Sequence, residues 1–399
     1  MKQRLRLLLL RIIGRLLRLT MPSATSVPGN ARVLVIRPDH LGDVLLSRPA
    51  IDALAAALPQ ARLTVAVGPW GRPALGQEPP YRVLLCPFPG FSRTRLGPLR
   101  PYLLLLHYAA LLRRGDRYDM ALVLRPDHWW GALLAALAGI PVRAGYRTAE
   151  TAPFLTVALP ETPGRHVAAQ ALELAAAAAH CAGSALPPEA PELPGSASAA
   201  AHHTVAGVLA TAGITPDRKL LVLHPGAGAT IKSWPLERFA EIGMQLAYAL
   251  EARIVVTGSA DERPLAQRLC DLLHEAPLNL AGALTWAEME ALLARATLVV
   301  GVDTGPLHLA VAARTPSVAL FGPADPAQFA PWGPAERHRM VFADLPCRPC
   351  RRLDFCRIAP GTLEPPPCML QIGASDVIEA ALAAVAEKEK DAVAIDEAH

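Results

Sequence analysis

"ARVLVIRPDHLGDVLLSRPAIDALAAALP", residues 31–59, decides the fold. Residues 31–37 read as a short buried strand, with four aliphatic side chains between Arg32 and Arg37. The polar turn Pro38-Asp39-His40 follows. "LGDVLLSRPAIDALAAALP" then places apolar residues at helical spacing until Pro59 ends the helix. A strand that passes through a short polar turn into a helix is the opening of a βαβ unit, and the same sequence of events recurs along the chain. "ARLTVAVG" (61–68) and "YDMALVLRPD" (118–127) are further strands, the second followed by the helix-like "GALLAALAGI"; residues 167–182 are helical. Strands alternating with helices predict a parallel sheet covered on both faces.

Residues 183–200, rich in Pro, Ser and Ala, interrupt the pattern as a linker. It then restarts. "KLLVLHPGAG" (219–228) is a strand and loop, "LERFAEIGMQLAYAL" an amphipathic helix, "ARIVVTG" (252–258) a strand and "TWAEMEALLARA" a helix. "TLVVGVDTG" and "PSVALFGP" (316–323) are further strands. The expected architecture is α/β, with two domains of similar design joined by one linker. Residues 31–182 form the first domain, 183–217 the linker region, 218–372 the second domain and 373–399 a C-terminal helix and tail.

At 399 residues and 52% apolar content the chain is long enough for two cores and too apolar for extensive disorder. A net charge of +4 over that length gives no argument for nucleic acid. Seven cysteines, four of them within 347–368, do not fit a secreted disulfide framework, so the main body reads as cytosolic. Basic residues concentrate only in "MKQRLRLLLLRIIGRLLRLT", residues 1–20. Arg interrupts its apolar run too often for a membrane span, and no small-residue cleavage site follows. On a helix, Arg4, Arg11, Arg15 and Arg18 fall on one stripe, with Leu5, Leu9, Ile12, Ile13 and Leu16 opposite. Such a helix suits the headgroup region of an anionic membrane, or packing on its own domain or a partner.

In doubly wound sheets ligands sit outside the carboxyl ends of the strands. Here several strands end in polar and glycine residues: Arg37-Pro-Asp-His, His224-Pro-Gly-Ala-Gly, Val302-Asp-Thr-Gly and Phe321-Gly-Pro. In "HPGAGATIKSWP" two glycines let the backbone approach a ligand, and Lys232 precedes a helix start. Free amides with an ammonium suit a diphosphate. Ile231 stands where a dinucleotide fingerprint needs its third glycine, and no Walker Gly-Lys-Ser/Thr is present. Asp303-Thr304-Gly305 occurs once, before a helix, which excludes an aspartic protease built on two copies. Thr304 and Gly305 can donate to phosphate oxygens, and Asp303 can accept from sugar hydroxyls. For His308, a phosphate contact and a structural role are equally compatible with the residue type. Asp43, in the first turn of its helix, is a capping residue or a general base. Asp39 and His40 compete for the second role, and the sequence does not rank the three.

"ARVLVIRPDHLGDVLLSRPAIDAL", "LVLHPGAGATIKSWPLERFAEI" and "VGVDTGPLHLAVAARTPSVALFGPADP" together resemble the heptosyltransferases of glycosyltransferase family 9, from about residue 31 to 380. The resemblance implies a GT-B architecture, two Rossmann-like domains facing a central cleft, and an inverting, metal-independent transfer from an ADP-heptose-type donor on the C-terminal side. The acceptor lies on the N-terminal side, usually the inner core of lipopolysaccharide at the cytoplasmic face of the inner membrane. It also implies roles. Asp43 resembles the catalytic base and Lys232 the lysine on the donor phosphate. Asp303 resembles the residue holding the sugar, with Thr304, Gly305 and His308 forming the diphosphate loop and Thr230 lying beside it. Glu262, with Asp261 as a neighbour able to substitute, resembles the ribose carboxylate, and Leu284 would lie near the nucleobase. Asp39-His40 departs from the family's usual residues before Leu-Gly-Asp, so the acceptor side is open: lipid core, another glycan or a protein. A sugar-nucleotide-binding protein without catalysis is the alternative in another class.

No Asp-x-Asp motif is present to hold a catalytic Mg²⁺, and no catalytic cofactor is expected. Cys347, Cys350, Cys356 and Cys368 form C-x₂-C-x₅-C-x₁₁-C. That spacing fits a structural zinc or iron, or reduced thiols. Cys86, Cys181 and Cys270 read as core residues.

Overall fold

The computed structural model describes residues 2–92, 97–115, 117–188, 191–274, 276–359 and 365–397. The chain divides into two compact units, Met1–Pro191 and Glu192–His399.

Unit 1 carries helices α1 (Lys2–Thr20), α2 (Leu41–Ala57), α3 (Arg100–Arg114), α4 (Trp129–Leu137) and α5 (Val167–Cys181). Its strands are β1 (Arg32–Arg37), β2 (Arg62–Val67), β3 (Arg82–Leu85), β4 (Met120–Val123), β5 (Val142–Arg147) and β6 (Val157–Pro160). They form one sheet in the order β3-β2-β1-β4-β5-β6, and every neighbouring pair is parallel. Val33 to Ile36 on β1 and all of β4 are buried, as expected of central strands covered on both faces.

Unit 2 carries α6 (Ala199–Thr211), α7 (Leu236–Leu250), α8 (Arg263–Leu272), α9 (Trp286–Arg295), α10 (Gly305–Ala312), α11 (Pro326–Phe329), α12 (Pro367–Leu370) and α13 (Ala374–Glu397). Strands β7 (Leu220–His224), β8 (Arg253–Val256), β9 (Leu278–Asn279), β10 (Leu298–Val302), β11 (Ser317–Leu320) and β12 (His338–Val341) form a second parallel sheet, ordered β12-β11-β10-β7-β8-β9. In both units the first strand of the sheet pairs with the fourth, so each has its topological switch point there: β1/β4 in unit 1 and β7/β10 in unit 2. That crevice is where a doubly wound sheet binds its ligand.

The linker region is not unstructured throughout. Within 183–217, residues Ala199–Thr211 form α6, capped by Ser198, whose hydroxyl accepts from the Ala201 amide. Val205 and Leu209 bury this helix in unit 2, against α9. Helix α3 and the edge strands β3, β6, β9 and β12 are elements to which the periodicity analysis assigns nothing. At the C-terminus α13 lays Val377, Ala381 and Val385 into the core of unit 2.

Helix α1 is docked, but not by its leucine face. Leu10 is buried, and Gly14 sits so close to Pro153 that a Cβ would come within 2.4 Å of the proline Cβ. Arg18 donates to the carbonyls of Ala152 (3.0 Å) and Pro153 (3.2 Å), and Arg6 pairs with Glu150. Among the described residues no helix is long and apolar enough to cross a membrane.

Candidate functional site

In unit 2 the predicted residues gather at the carboxyl ends of β7 and β10. A short 3-10 turn, Thr230–Lys232, follows β7 and brings the Lys232 ammonium to the end of β10. Its Nζ lies 2.6 Å from Oδ2 of Asp303 and 3.2 Å from the Asp303 carbonyl. Asp303 is buried and Lys232 nearly so, which strengthens their pairing relative to a surface ion pair. Thr304 occupies the N-cap of α10, yet its hydroxyl donates back to the Val302 carbonyl (3.0 Å) and does not cap the helix. With Pro306 in the first turn and no side-chain cap, the positive end of α10 opens beside Lys232 and Asp303, an arrangement suited to an anion. Gly305 is half-buried in that turn, and His308 is buried one turn further along. Thr230 is exposed at the start of the 3-10 turn.

Glu262 reaches the same edge from the β8 side. A Cβ on Gly226 would lie 2.4 Å from the Glu262 carboxylate, so this glycine is what lets the carboxylate lie over the loop after β7. One oxygen of Glu262 accepts from the Ser259 amide at 2.7 Å, closing a capping box, while Asp261 stays exposed. His224, the last residue of β7, is buried and 3.0 Å from the Thr257 hydroxyl. Burial holds its pKa below the usual histidine range, and the Glu262 charge opposes that shift. Leu284 is half-buried in the segment between β9 and α9.

In unit 1 the three candidates after β1 separate. Asp39 is buried, 3.1 Å from Arg37 Nε, and Arg125 from the end of β4 also pairs with it. Burial opposes its ionisation, but the two guanidinium groups prevail and hold the carboxyl below its ordinary range. His40 is exposed, with its ring 6.0 Å from that of Trp70. Asp43 lies in the first turn of α2, with about a third of its side chain exposed and 3.7 Å from Arg37. Asp39 is thereby committed to structure, whereas Asp43 is the more solvent-reachable carboxylate of the two.

Sequence reasoning missed Arg37, Arg125 and His128. The signal was present: Arg-Pro-Asp-His occurs at 37–40 and again at 125–128, after strands that pair in the sheet. The two copies interlock through the Arg125–Asp39 ion pair. His128 is buried against Phe88, Phe91 and Trp130, and neither ring nitrogen has a hydrogen-bond partner. Burial pushes its pKa down to about 3, so the imidazole is neutral. It lines a cavity of about 820 Å³ whose walls also include Arg6, Phe91, Tyr102, Arg125 and Trp129. Aromatic faces beside a neutral imidazole and an arginine–carboxylate pair suit a polyhydroxylated ligand.

The four-cysteine segment does not assemble as a metal shell. Cys368 is buried, and burial, aided by nearby Cys350, Cys347 and Cys356, pushes its thiol up to about 11. The four share a neighbourhood, yet among the described residues no three or more His, Cys, Asp or Glu are placed to hold a metal ion. Cys347 and Cys350 are exposed. Cys86 and Cys181 are buried in unit 1, and Cys270 is half-buried in unit 2.

A family model for glycosyltransferase family 9 (heptosyltransferase) matches residues 109–355. Lipopolysaccharide heptosyltransferase 2 of Escherichia coli strain K12 is 29% identical over 309 residues, covering 74% of this chain and 84% of that protein. Among solved structures, E. coli ADP-heptose lps heptosyltransferase II superposes with a TM-score of 0.70 at 23% identity, over 90% of this chain and 99% of that one. The glycosyl transferase family 9 protein from Veillonella parvula gives 0.72 at 20% identity, over 91% and 100%. At these identities the structural likeness speaks for the fold, and the fold is GT-B.

Proposed function

The chain belongs to glycosyltransferase family 9, the heptosyltransferases, and from that premise we propose that it moves a heptose, or a closely similar sugar, from an ADP-sugar to an inner-core lipopolysaccharide or related glycan. Transfer inverts the anomeric centre and uses no catalytic metal. The observation that carries this reading is the Lys232–Asp303 pair beside the uncapped start of α10.

Each part has a chemical task. The diphosphate takes the Lys232 ammonium and the first-turn amides at Thr304 and Gly305, with His308 and Thr230 close by in sequence and fold. Asp303, partly released from Lys232, accepts from the sugar hydroxyls. Glu262 faces the ribose and Leu284 the base. An acceptor hydroxyl then attacks the anomeric carbon opposite the diphosphate. The new C–O bond forms as the bond to phosphate breaks, positive charge builds on the sugar and negative charge on the departing ADP. Asp43 takes the hydroxyl proton, and Lys232 with the amides stabilises the leaving charge.

The acceptor's sugars occupy the aromatic cavity around His128, at the carboxyl end of the sheet, where Asp43 also stands. Helix α1, basic on one stripe and apolar on the next, faces the cytoplasmic surface of the inner membrane, where such an acceptor resides. No step runs through Cys347, Cys350, Cys356 or Cys368, and metal analysis of the purified protein tests whether zinc or iron is bound there.

The deciding experiment incubates the protein with ADP-heptose and isolated inner-core acceptor, measures ADP release and identifies the product by mass spectrometry. ADP release that depends on acceptor, with one added heptose on the glycan, is the expected result. Binding of ADP-heptose without release would leave a binding protein, and label on polypeptide would shift the acceptor to protein.

A further inference from the structure

Two helices of unit 1 leave large apolar faces uncovered. On α1 the docked edge is Leu10, Gly14 and Leu17, while Leu5, Leu9, Leu16 and Leu19 are 50–84% exposed. On α3 and its N-cap, Leu99, Tyr102, Leu103 and Leu106 follow the i, i+3, i+4, i+7 spacing of one helix stripe and are 57–72% exposed. An apolar stripe at that spacing is what a helix normally buries. More than half of the exposed large apolar side chains among the described residues lie on these two helices. Both also insert into one core, through Leu10 and Leu105, and both wall the cavity at His128, through Arg6 and Tyr102.

The charge on the two helices is one-sided. Residues 1–20 hold five Arg and one Lys, residues 100–114 hold three Arg, and neither segment has an acidic residue. The whole chain is only +4, so the remainder is net negative. Arg4, Arg11 and Arg15 border the leucine face of α1, and Arg113 and Arg114 end α3; all five are exposed. Leucines at acyl-chain depth with arginines at the phosphates is the composition of an interfacial surface. A self-complementary contact with a second copy of this chain would instead bring like charges together across the interface.

We infer that α1 and α3 form a single docking facet for an anionic lipid bilayer, with α1 fixed to unit 1 as part of that facet and not acting as a loose tether. Arg6–Glu150, the Arg18 bonds to Ala152 and Pro153, and the close approach at Gly14 hold α1 in place. The cavity walled by Arg6 and Tyr102 is then held at the bilayer surface, where the sugars of an amphiphilic acceptor present themselves. This docking rests on the membrane-facing reading of α1 and adds α3 to it.

The test is co-sedimentation of the full chain with vesicles of phosphatidylglycerol and phosphatidylcholine, and with phosphatidylcholine alone. Wild type should partition onto the anionic vesicles and about tenfold less onto the neutral ones. Leu9→Ser/Leu16→Ser on α1 and Leu103→Ser/Leu106→Ser on α3 should each weaken anionic partitioning about tenfold or more, because two exposed leucines lose their acyl contact in each case. All four positions are exposed, so the melting temperature should not fall. If the α3 variant partitions like wild type, the shared facet is wrong although α1 still binds membrane. If wild type ignores anionic vesicles and forms a concentration-dependent dimer that the same substitutions abolish, a second copy covers the face and the membrane reading of α1 falls with it. Equal binding to neutral vesicles would overturn the assignment of anionic lipid.

Discussion

Lys232 and Asp303, 71 positions apart in the chain, share a 2.6 Å contact at the ends of two adjacent strands. An ammonium held this way is positioned before any donor arrives, so little reorganisation is needed when charge develops on a leaving diphosphate. Lys232→Ala should lower turnover by about 10²–10³, the loss seen when a single oxyanion donor is removed. Initial-rate assays of ADP release measure it. The substitution also leaves the Asp303 carboxylate buried without its cation, so a moderate drop in melting temperature should accompany the loss. Turnover within a factor of about two of wild type would remove Lys232 from the mechanism.

Asp39 and Asp43 should separate cleanly when each is changed to Asn. Asp43 is partly exposed in the first turn of α2, and its loss as a base should cost about 10²–10⁴ in turnover with little change in melting temperature. Asp39 is buried between Arg37 and Arg125, so Asp39→Asn should lower the melting temperature by several degrees, because two guanidinium groups lose the charge that balances them. Thermal denaturation and kinetics on the same two preparations decide it. The reverse pattern would exchange their roles.

Two glycines near β7 should respond oppositely to alanine. At Gly226 the new methyl meets the end of the flexible Glu262 side chain, which can swing away. Folding should survive, while the KM for the nucleotide donor rises because the carboxylate has left the loop. At Gly301 the methyl would lie 2.7 Å from the His224 carbonyl, in the backbone of the paired strand. Strands cannot move apart so cheaply, and Gly301→Ala should instead reduce the yield of folded protein and its melting temperature. Paired measurement of KM and melting temperature distinguishes the two.

The central strands and their polar ends were legible because burial on both faces leaves an uninterrupted aliphatic run, as in Val33–Ile36 and Leu298–Val302, and a polar turn stops it abruptly. Edge strands were not. β3 is half exposed and β9 is only two residues long, so neither carries a clean pattern. Helix α3 escaped for a different reason: "LLLL" at 103–106 has apolar residues on every side, which erases the 3.6-residue period. The association of Lys232 with Asp303 depends on which strands are neighbours, which no local pattern contains. The His128 cavity was the least visible, since it is assembled from α1, α3 and the ends of β4 and β5. Its one local clue is the repeated Arg-Pro-Asp-His.

Histidine burial predicts that acid destabilises the protein. Burial pushes His128 in unit 1 down to about 3 and His338 in unit 2 to about 4, against 6.5 for an ordinary histidine. An unfolded chain therefore takes up a proton at each position as pH falls below about 6.5, while the folded chain refuses it until pH 3–4. The unfolded state binds more protons throughout that window, so stability rises with pH across it. The contribution is fully present above 6.5 and is lost as pH falls through the folded values. Each group contributes a slope of about 1.4 kcal/mol per pH unit within its window. Asp39 acts in the same direction but only below its ordinary carboxylate range, near pH 4, so the decline between pH 6.5 and 4.5 belongs to the histidines, and buried His224, also held below the usual range, adds to it. Urea midpoints measured across that range should fall steadily for the wild type. His128→Asn, which cannot titrate, should flatten the curve of unit 1 by about one proton's worth while leaving the His338 and His224 shares intact. A wild-type midpoint that stays level from pH 7 to 4.5 would mean that His128 and His338 accept protons in the folded protein, and that the cavity is wetter than its aromatic walls imply.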